Sequence, residues 1–215
     1  MTQMQSGIVY IVDDDRRICE ALGELLSAIG VSSKAFHSIS DYLEHRRSDE
    51  PSCLVLDVNL PDINGLEFQE QAGDGHPPII FITGHGDIRS SVRAMKAGAV
   101  NYLTKPFDAS ELLASIAAAI TQDRAARRDR QELAVMRGCY ANLTAREREI
   151  LPLVVSGLRT RQAAAELGIS EVTMQIHRGR IMQKMQATSL ADLVRVAYEL
   201  GIPVRHTHRR DDRAQ

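Results

Sequence analysis

The stretch Cys53–Gly65, CLVLDVNLPDING, decides the fold. It opens with four apolar residues in a row, without alternation, as expected of a strand covered on both faces in a parallel sheet. The run stops on an acid, Asp57, which precedes VNLP and not a helix start. Two other segments, Ile8–Val12 (IVYIV) and Pro78–Thr83 (PIIFIT), share the pattern. With Val31–Phe36 and Ala99–Leu103 they make five candidate strands, separated or followed by amphipathic stretches near residues 16–29, 40–47, 64–72, 87–97 and 108–120. Five such units predict a doubly wound α/β domain with a five-stranded parallel sheet and a ligand site at the carboxyl ends of the strands.

From Asp108 the helical pattern runs on to about Met136 through DRAARRDRQEL, which reads as a solvated helical linker without a site of its own. Beyond Asn142 only helices follow. Thr144 and Glu147 form a capping box ahead of Ile150, Leu151, Leu153 and Val154. Thr160 is placed to cap a second helix ending at Gly168, and Ser170 a third with Glu171 in its first turn. A fourth runs from about Ser189 to Leu200; its Leu190, Leu193, Val194 and Ala197 suit either a dimer contact or plain core. The expected division is residues 1–122, a helical linker at 123–141, a small four-helix domain at 142–205 and a disordered tail at 206–215. The His206 and His208 pair reads as loose tail, not a metal site.

Charge separates the two halves. Residues 1–120 carry a net −8, residues 121–141 +2 and residues 142–215 +4. Different partners are expected for each, a polyanion for the rear. Three cysteines (Cys19, Cys53, Cys139) without close pairing argue against a disulfide framework or zinc site and fit a reducing cytosol. No apolar run approaches the roughly 18 residues of a membrane span, and no signal pattern is read at the N-terminus, so a cytoplasmic location without membrane contact is expected.

The chemistry gathers at the strand ends. Asp13, Asp14 and Asp15 follow the first strand and Asp57 ends the third, so all emerge at one sheet edge. Crowded carboxylates repel, and oxygen-only ligands suit Mg²⁺, which also binds phosphate. Thr83 ends the fourth strand with a hydroxyl; Lys105 follows the fifth with a compact ammonium that a cis Lys105–Pro106 bond would aim. Such a pocket suits a phosphorylated aspartate, with Asp57 as in-line nucleophile and Lys105 and the metal neutralising the phosphoryl oxygens. The Gly84-His85-Gly86 turn lacks the further glycines and lysine of a phosphate-cradling loop.

The ordered set IVDDD, LVLDVNLPDING, FITGH and YLTKPF resembles the receiver domain of two-component response regulators, a flavodoxin-like fold, over residues 7–120. The resemblance implies that a sensor histidine kinase phosphorylates Asp57. It implies that Asp14, Asp57 and the Asn59 carbonyl ligate Mg²⁺, with Asp13 acting through water. It makes Thr83 and Tyr102 the switch pair, the hydroxyl moving toward the phosphoryl group and the aromatic side chain turning inward. Asn59 and His85 occupy positions that tune hydrolysis of the aspartyl phosphate in that family. The protein would thus be a phosphoacceptor catalysing only its own phosphoryl transfer and dephosphorylation, not an enzyme. A dehalogenase-type phosphohydrolase would want a second acid where Asn59 stands.

In the third rear helix, Met174, His177, Ile181 and Met185 form a stripe toward the core, with His177 packed or in a satisfied hydrogen bond. Gln175, Arg178 and Gly179 then point outward beside Ile176. Gln can bridge an adenine, Arg a guanine, and Ile can meet a thymine methyl, while Gly179 lets the backbone approach. Arg161, Lys184 and the helix N-terminal amides suit phosphates. Thr160 and Thr173 complete the expected DNA-binding set. The segments LTAREREIL, SGLRTRQAAAELGIS and VTMQIHRGRIMQKM resemble the LuxR-type helix-turn-helix of the NarL/FixJ class over residues 142–202, with particular similarity to StyR-type regulators of aromatic-compound catabolism. Departures are Thr160, where Asn is usual, and Ala163, where a larger aliphatic is usual. The whole reading is a transcription regulator: phosphorylation rearranges the face built by the last two strand–helix units, a homodimer forms, and two recognition helices bind promoter half-sites about 34 Å apart. RNA polymerase is a further candidate partner. The rival is a receiver-like protein that binds only proteins.

Overall fold

The structure is a computed structural model and describes residues 7–73 and 76–203. Its elements run β1 (Ile8–Val12), α1 (Arg16–Ala28), β2 (Ser32–Phe36), α2 (Ile39–Glu44), β3 (Ser52–Asp57), α3 (Gly65–Ala72), β4 (Ile79–Thr83), α4 (Ile88–Lys96), β5 (Asn101–Thr104) and α5 (Ala109–Ala141). The strands form one parallel sheet in the order β2-β1-β3-β4-β5. All five expected strands are present, four with ends shifted by one or two residues.

Alternate residues of the apolar strands feed opposite faces. Val9, Ile11, Val55, Ile80 and Ile82 pack against Leu22 and Leu26 of α1 and Leu112, Ile116 and Ile120 of α5. Tyr10, Val12, Leu54, Leu56, Ile79 and Phe81 pack against Ile39 and Tyr42 of α2, Leu66 and Phe68 of α3, and Ala94 of α4. Burial on both sides removes the polar alternation from β1, β3 and β4. The edge strand β2 (SSKAF) is largely exposed and correspondingly polar.

The chain divides into two compact units, one through Arg128 and one from Asp129. The segment expected as a solvated helical linker is helical, but not all of it is solvated. Helix α5 continues past Met136 to Ala141, and residues of the expected linker belong to both units. In the first unit Asp123 is buried, accepting from the Ser52 amide at 2.8 Å and from Arg127 Nε at 2.6 Å. Arg127 also donates to the Asp49 carbonyl at 3.0 Å. These bonds fasten α5 to the start of β3. In the second unit Met136, Cys139 and Tyr140 pack against the helical core.

That unit contains α6 (Ala145–Val155), α7 (Thr160–Glu166), α8 (Glu171–Lys184) and α9 (Leu190–Glu199). The Thr144/Glu147 capping box forms, and Ser170 caps α8 by accepting from the Thr173 amide. Thr160 does not cap α7: it is the first helical residue, preceded by Arg159, whose amide is met by Gln162 Oε1 at 3.2 Å. Gly168 adopts φ +63° after α7, a left-handed turn that a side chain would strain. Leu193 and Ala197 are fully buried among α6 and α8 residues, whereas Leu190 and Val194 of the same stripe are half-buried against that core. Residues 204–215, which include the expected tail, lie outside the described residues. No helix among the described residues is long and apolar enough to cross a membrane.

Candidate functional site

Asp13, just past β1, and Asp57, the last residue of β3, meet at the carboxyl edge because β1 and β3 pair in parallel with Val12 opposite Leu56. Asp14 joins them: one carboxylate oxygen from each of the three lies within 4.8 Å of the others. Asp13 is fully buried, Asp57 nearly so, and Asp14 is exposed. Lys105 reaches in from beyond β5, its Nζ 2.6 Å from Asp13 Oδ2 and 3.3 Å from Asp57 Oδ1. The Lys105–Pro106 bond is cis, as expected.

Each acid is held in place. Asp13 Oδ1 accepts from the Asp15 amide at 2.9 Å, and Asp57 Oδ2 accepts from the Asn59 amide at 3.2 Å. Burial pushes the Asp57 carboxyl above the ordinary aspartate range, with Lys105 pulling against it and Asp13 adding to it. Burial also works against the Lys105 ammonium, but the two carboxylates outweigh it and hold its pKa above the usual lysine value. One ammonium faces three carboxylates, so the donor set retains negative charge and all-oxygen ligation. That chemistry fits a hard divalent cation.

Thr83 is fully buried at the end of β4. Its Oγ1 accepts from the His85 amide at 3.2 Å and from Asn59 Nδ2 at 3.4 Å, and donates to the His85 carbonyl at 3.3 Å. Tyr102, on β5, packs against Phe81 with ring centroids 6.1 Å apart. Its hydroxyl is buried without a hydrogen-bond partner among the described residues.

The sequence reading did not assign a role to Gly65. A Cβ there would lie 2.6 Å from the Asp57 carbonyl oxygen, so only glycine lets α3 start this close to the end of β3. Its amide donates to the Val58 carbonyl at 2.9 Å.

On α8, Met174, Ile181 and Met185 are buried as expected. His177 is half-buried, and its Nδ1 has no hydrogen-bond partner among the described residues, so of the two expected alternatives, packing or a satisfied hydrogen bond, Nδ1 does not supply the second. Gln175, Ile176 and Gly179 are exposed, whereas Arg178 is half-buried. The sequence reading missed Val172 and Arg180. Val172 is 67% and Ile176 50% exposed, an apolar pair one turn apart on the open side, and Arg180 is exposed beyond them. The 3.6-residue period from Ile176 carries that signal. Thr173 Oγ1 is bonded to the Ser170 cap at 2.8 Å. Arg161 is exposed, 3.9 Å from Glu171, and Thr160 is half-buried. Lys184 is half-buried, its Nζ bonded to the buried Glu147 carboxylate at 2.7 Å.

An acidic strand-end pocket with one lysine, on a chain that also carries a helix-turn-helix module, defines a phosphorylation-type receiver coupled to a DNA-binding domain. The chain matches the response regulator receiver domain over residues 9–117 and the bacterial regulatory proteins of the luxR family over residues 141–197. It is 45% identical over 203 residues to nodulation protein W of Bradyrhizobium diazoefficiens, spanning 94% of this chain and 89% of that one. It is 41% identical over 198 residues to the response regulator protein TodT of Pseudomonas putida, with 91% and 87% covered. Among solved structures it is similar to the response regulator StyR (TM-score 0.80, 43% identity, 90% of this chain and 99% of that one). Full-length FixJ from B. japonicum gives TM-score 0.53 at 35% identity, with 92% and 98% covered. The chain belongs to the two-component response regulators of the NarL/FixJ class, with a LuxR-type DNA-binding domain. A receiver domain implies a sensor kinase as partner, and receiver domains bind Mg²⁺ at an acidic pocket of the kind formed by Asp13, Asp14 and Asp57.

Proposed function

We propose that Asp57 accepts a phosphoryl group from a sensor histidine kinase and that this controls promoter binding by α8. The observation that carries the assignment is the Lys105 ammonium shared between Asp13 Oδ2 and Asp57 Oδ1. It leaves Asp57 with a fixed carboxylate at the mouth of a charged pocket, oriented by the Asn59 amide. A carboxylate oxygen of Asp57 attacks phosphorus in line, the bond from phosphorus to the donor nitrogen breaks, and an acyl phosphate forms. Lys105 stabilises charge growing on the phosphoryl oxygens. Mg²⁺, held by Asp14, Asp57 and the Asn59 carbonyl with Asp13 assisting through water, supplies further neutralisation when bound. Thr83 and Tyr102 are the proposed switch pair, and hydrolysis of the acyl phosphate by the protein itself resets it. Intact-mass measurement after acetyl phosphate treatment tests the assignment: wild type gains one phosphoryl group and Asp57→Asn does not. Uptake by Asp57→Asn at the wild-type rate would sink it.

On DNA, Gln175, Ile176 and Gly179 meet base edges, joined by Val172 for thymine methyl groups; Arg178, Arg180, Arg161, and Thr160 and Thr173 in the first turns of α7 and α8, serve backbone or guanine contacts. Phosphorylation favours a homodimer in the cytoplasm, where RNA polymerase is the further partner. Dimerisation is supported by the likeness of residues in the first unit to the beryllofluoride-activated NtrC4 receiver domain dimer, at TM-score 0.50 and 30% identity.

A further inference from the structure

Glu147 is the one buried charged residue among the described residues of the second unit, 2% exposed. Its Oε2 accepts twice, from the Thr144 amide at 2.8 Å and from Lys184 Nζ at 2.7 Å. Thr144 and Glu147 open α6, whereas Lys184 closes α8, 37 residues further along. One oxygen atom therefore ties the start of one helix to the end of the other. Both charges also sit where the helix dipoles favour them, the acid in a first turn and the cation in a last. These bonds pull the Glu147 carboxyl down to about 2.

The core contacts of α8 cannot do this job. Met174, Ile181 and Met185 fix which side of the helix faces inward, but an apolar stripe tolerates sliding along the axis. A charged hydrogen bond at one end sets the axial position, and with it where Val172, Gln175 and Ile176 stand near the other end. Other cations are nearer to free: Arg178 and Arg180 make no ion pair among the described residues, and Arg161 is exposed, 3.9 Å from Glu171.

We propose that Lys184 is a positioning residue that acts on DNA through Glu147, not a phosphate contact. The proposal rests on the reading of α8 as the recognition helix. Its signature is the salt dependence of binding. A lysine that neutralises one phosphate contributes about 0.9 to the slope of log affinity against log salt, whereas a lysine that only places a helix contributes nothing.

The test uses the full chain and a duplex enriched by the wild-type protein from a random-sequence pool, titrated at several salt concentrations. Lys184→Met and Glu147→Ala are each expected to lower affinity about tenfold with the wild-type slope retained. The double variant should bind no worse than either single one, and Lys184→Arg, which keeps a donor for Glu147, should recover most of the loss. Helicity by circular dichroism is checked at the titration temperature. Where Glu147→Ala melts too low, Glu147→Gln should show a smaller loss in the same direction. A Lys184→Met slope shallower by about 0.9 with Glu147 variants binding normally would overturn the proposal, as would wild-type affinity in all the variants. Failure of the wild-type chain to enrich any sequence would overturn the recognition-helix reading and this proposal with it.

Discussion

Lys105 and Gly65 show what single residues contribute at the acidic edge. Removing the ammonium with Lys105→Met leaves Asp13 buried without its 2.6 Å partner and strips the pocket of its fixed positive charge. Phosphoryl uptake from acetyl phosphate should slow about 100-fold, the size of effect typical for a lost preorganised charge; an unchanged rate would remove Lys105 from the mechanism. Gly65→Ala acts sterically, driving a methyl group against the Asp57 carbonyl at 2.6 Å. It should destabilise the first unit by roughly 1–3 kcal/mol, read as a lower urea midpoint, and slow phosphorylation because Asp57 must shift. The two residues also differ in how legible they were. Asp13, Asp14, Asp57, Thr83 and Lys105 could be read because parallel strands bring their carboxyl ends to one edge, so sequence position implies place. The need for glycine at 65 depends on how closely α3 approaches β3, and no local pattern encodes that distance. Arg180 was legible: Arg178 stands four residues after Met174 and three before Ile181, so the same apolar stripe places it on the core flank and leaves Arg180 outward.

At the scale of elements, strands and helices followed from periodicity, but the ends and attachments of α5 did not. Its charged middle carries no apolar period, so a buried carboxylate within it looked like one solvated acid among many. Asp123 in fact answers the first amide of β3. Asp123→Ala leaves that amide buried and unpaired, at a cost on the order of 1–3 kcal/mol. Hydrogen exchange at the Ser52 amide should accelerate accordingly while exchange in α8 stays as in wild type; equal acceleration in both would mean that the loss is not local. The second unit has its own titration. The Glu147 carboxyl sits near 2 in the folded chain against 4.5 ordinarily. A depressed acid contributes stability that is fully present above about pH 4.5 and is lost as pH falls toward 2. Thermal melts followed at α8 should therefore decline across that window, and Glu147→Gln should flatten the decline.

For the whole molecule the charge distribution constrains how phosphorylation can promote DNA binding. Residues 1–120 carry a net −8, while residues 121–141 and 142–215 carry +2 and +4. Phosphorylation replaces the Asp57 carboxylate, about −1, with an acyl phosphate of about −1.5 to −2, so the chain becomes up to about one charge more negative and, by field alone, a slightly poorer partner for DNA. A gain in affinity must come from another term. Pairing two chains supplies one, because once a first recognition helix is seated the second binds at high effective concentration. The two mechanisms separate on DNA carrying one or two half-sites. Under dimer control, acetyl phosphate treatment should raise affinity by 10- to 100-fold on a duplex with two half-sites one turn apart, about 34 Å. On a single half-site it should leave affinity unchanged or slightly lower, most visibly at low salt where the added negative charge is least screened. Asp57→Asn should show neither effect. An equal gain on the single half-site would instead mean that phosphorylation frees α8 within one chain, and the dimer would then follow from DNA binding rather than cause it.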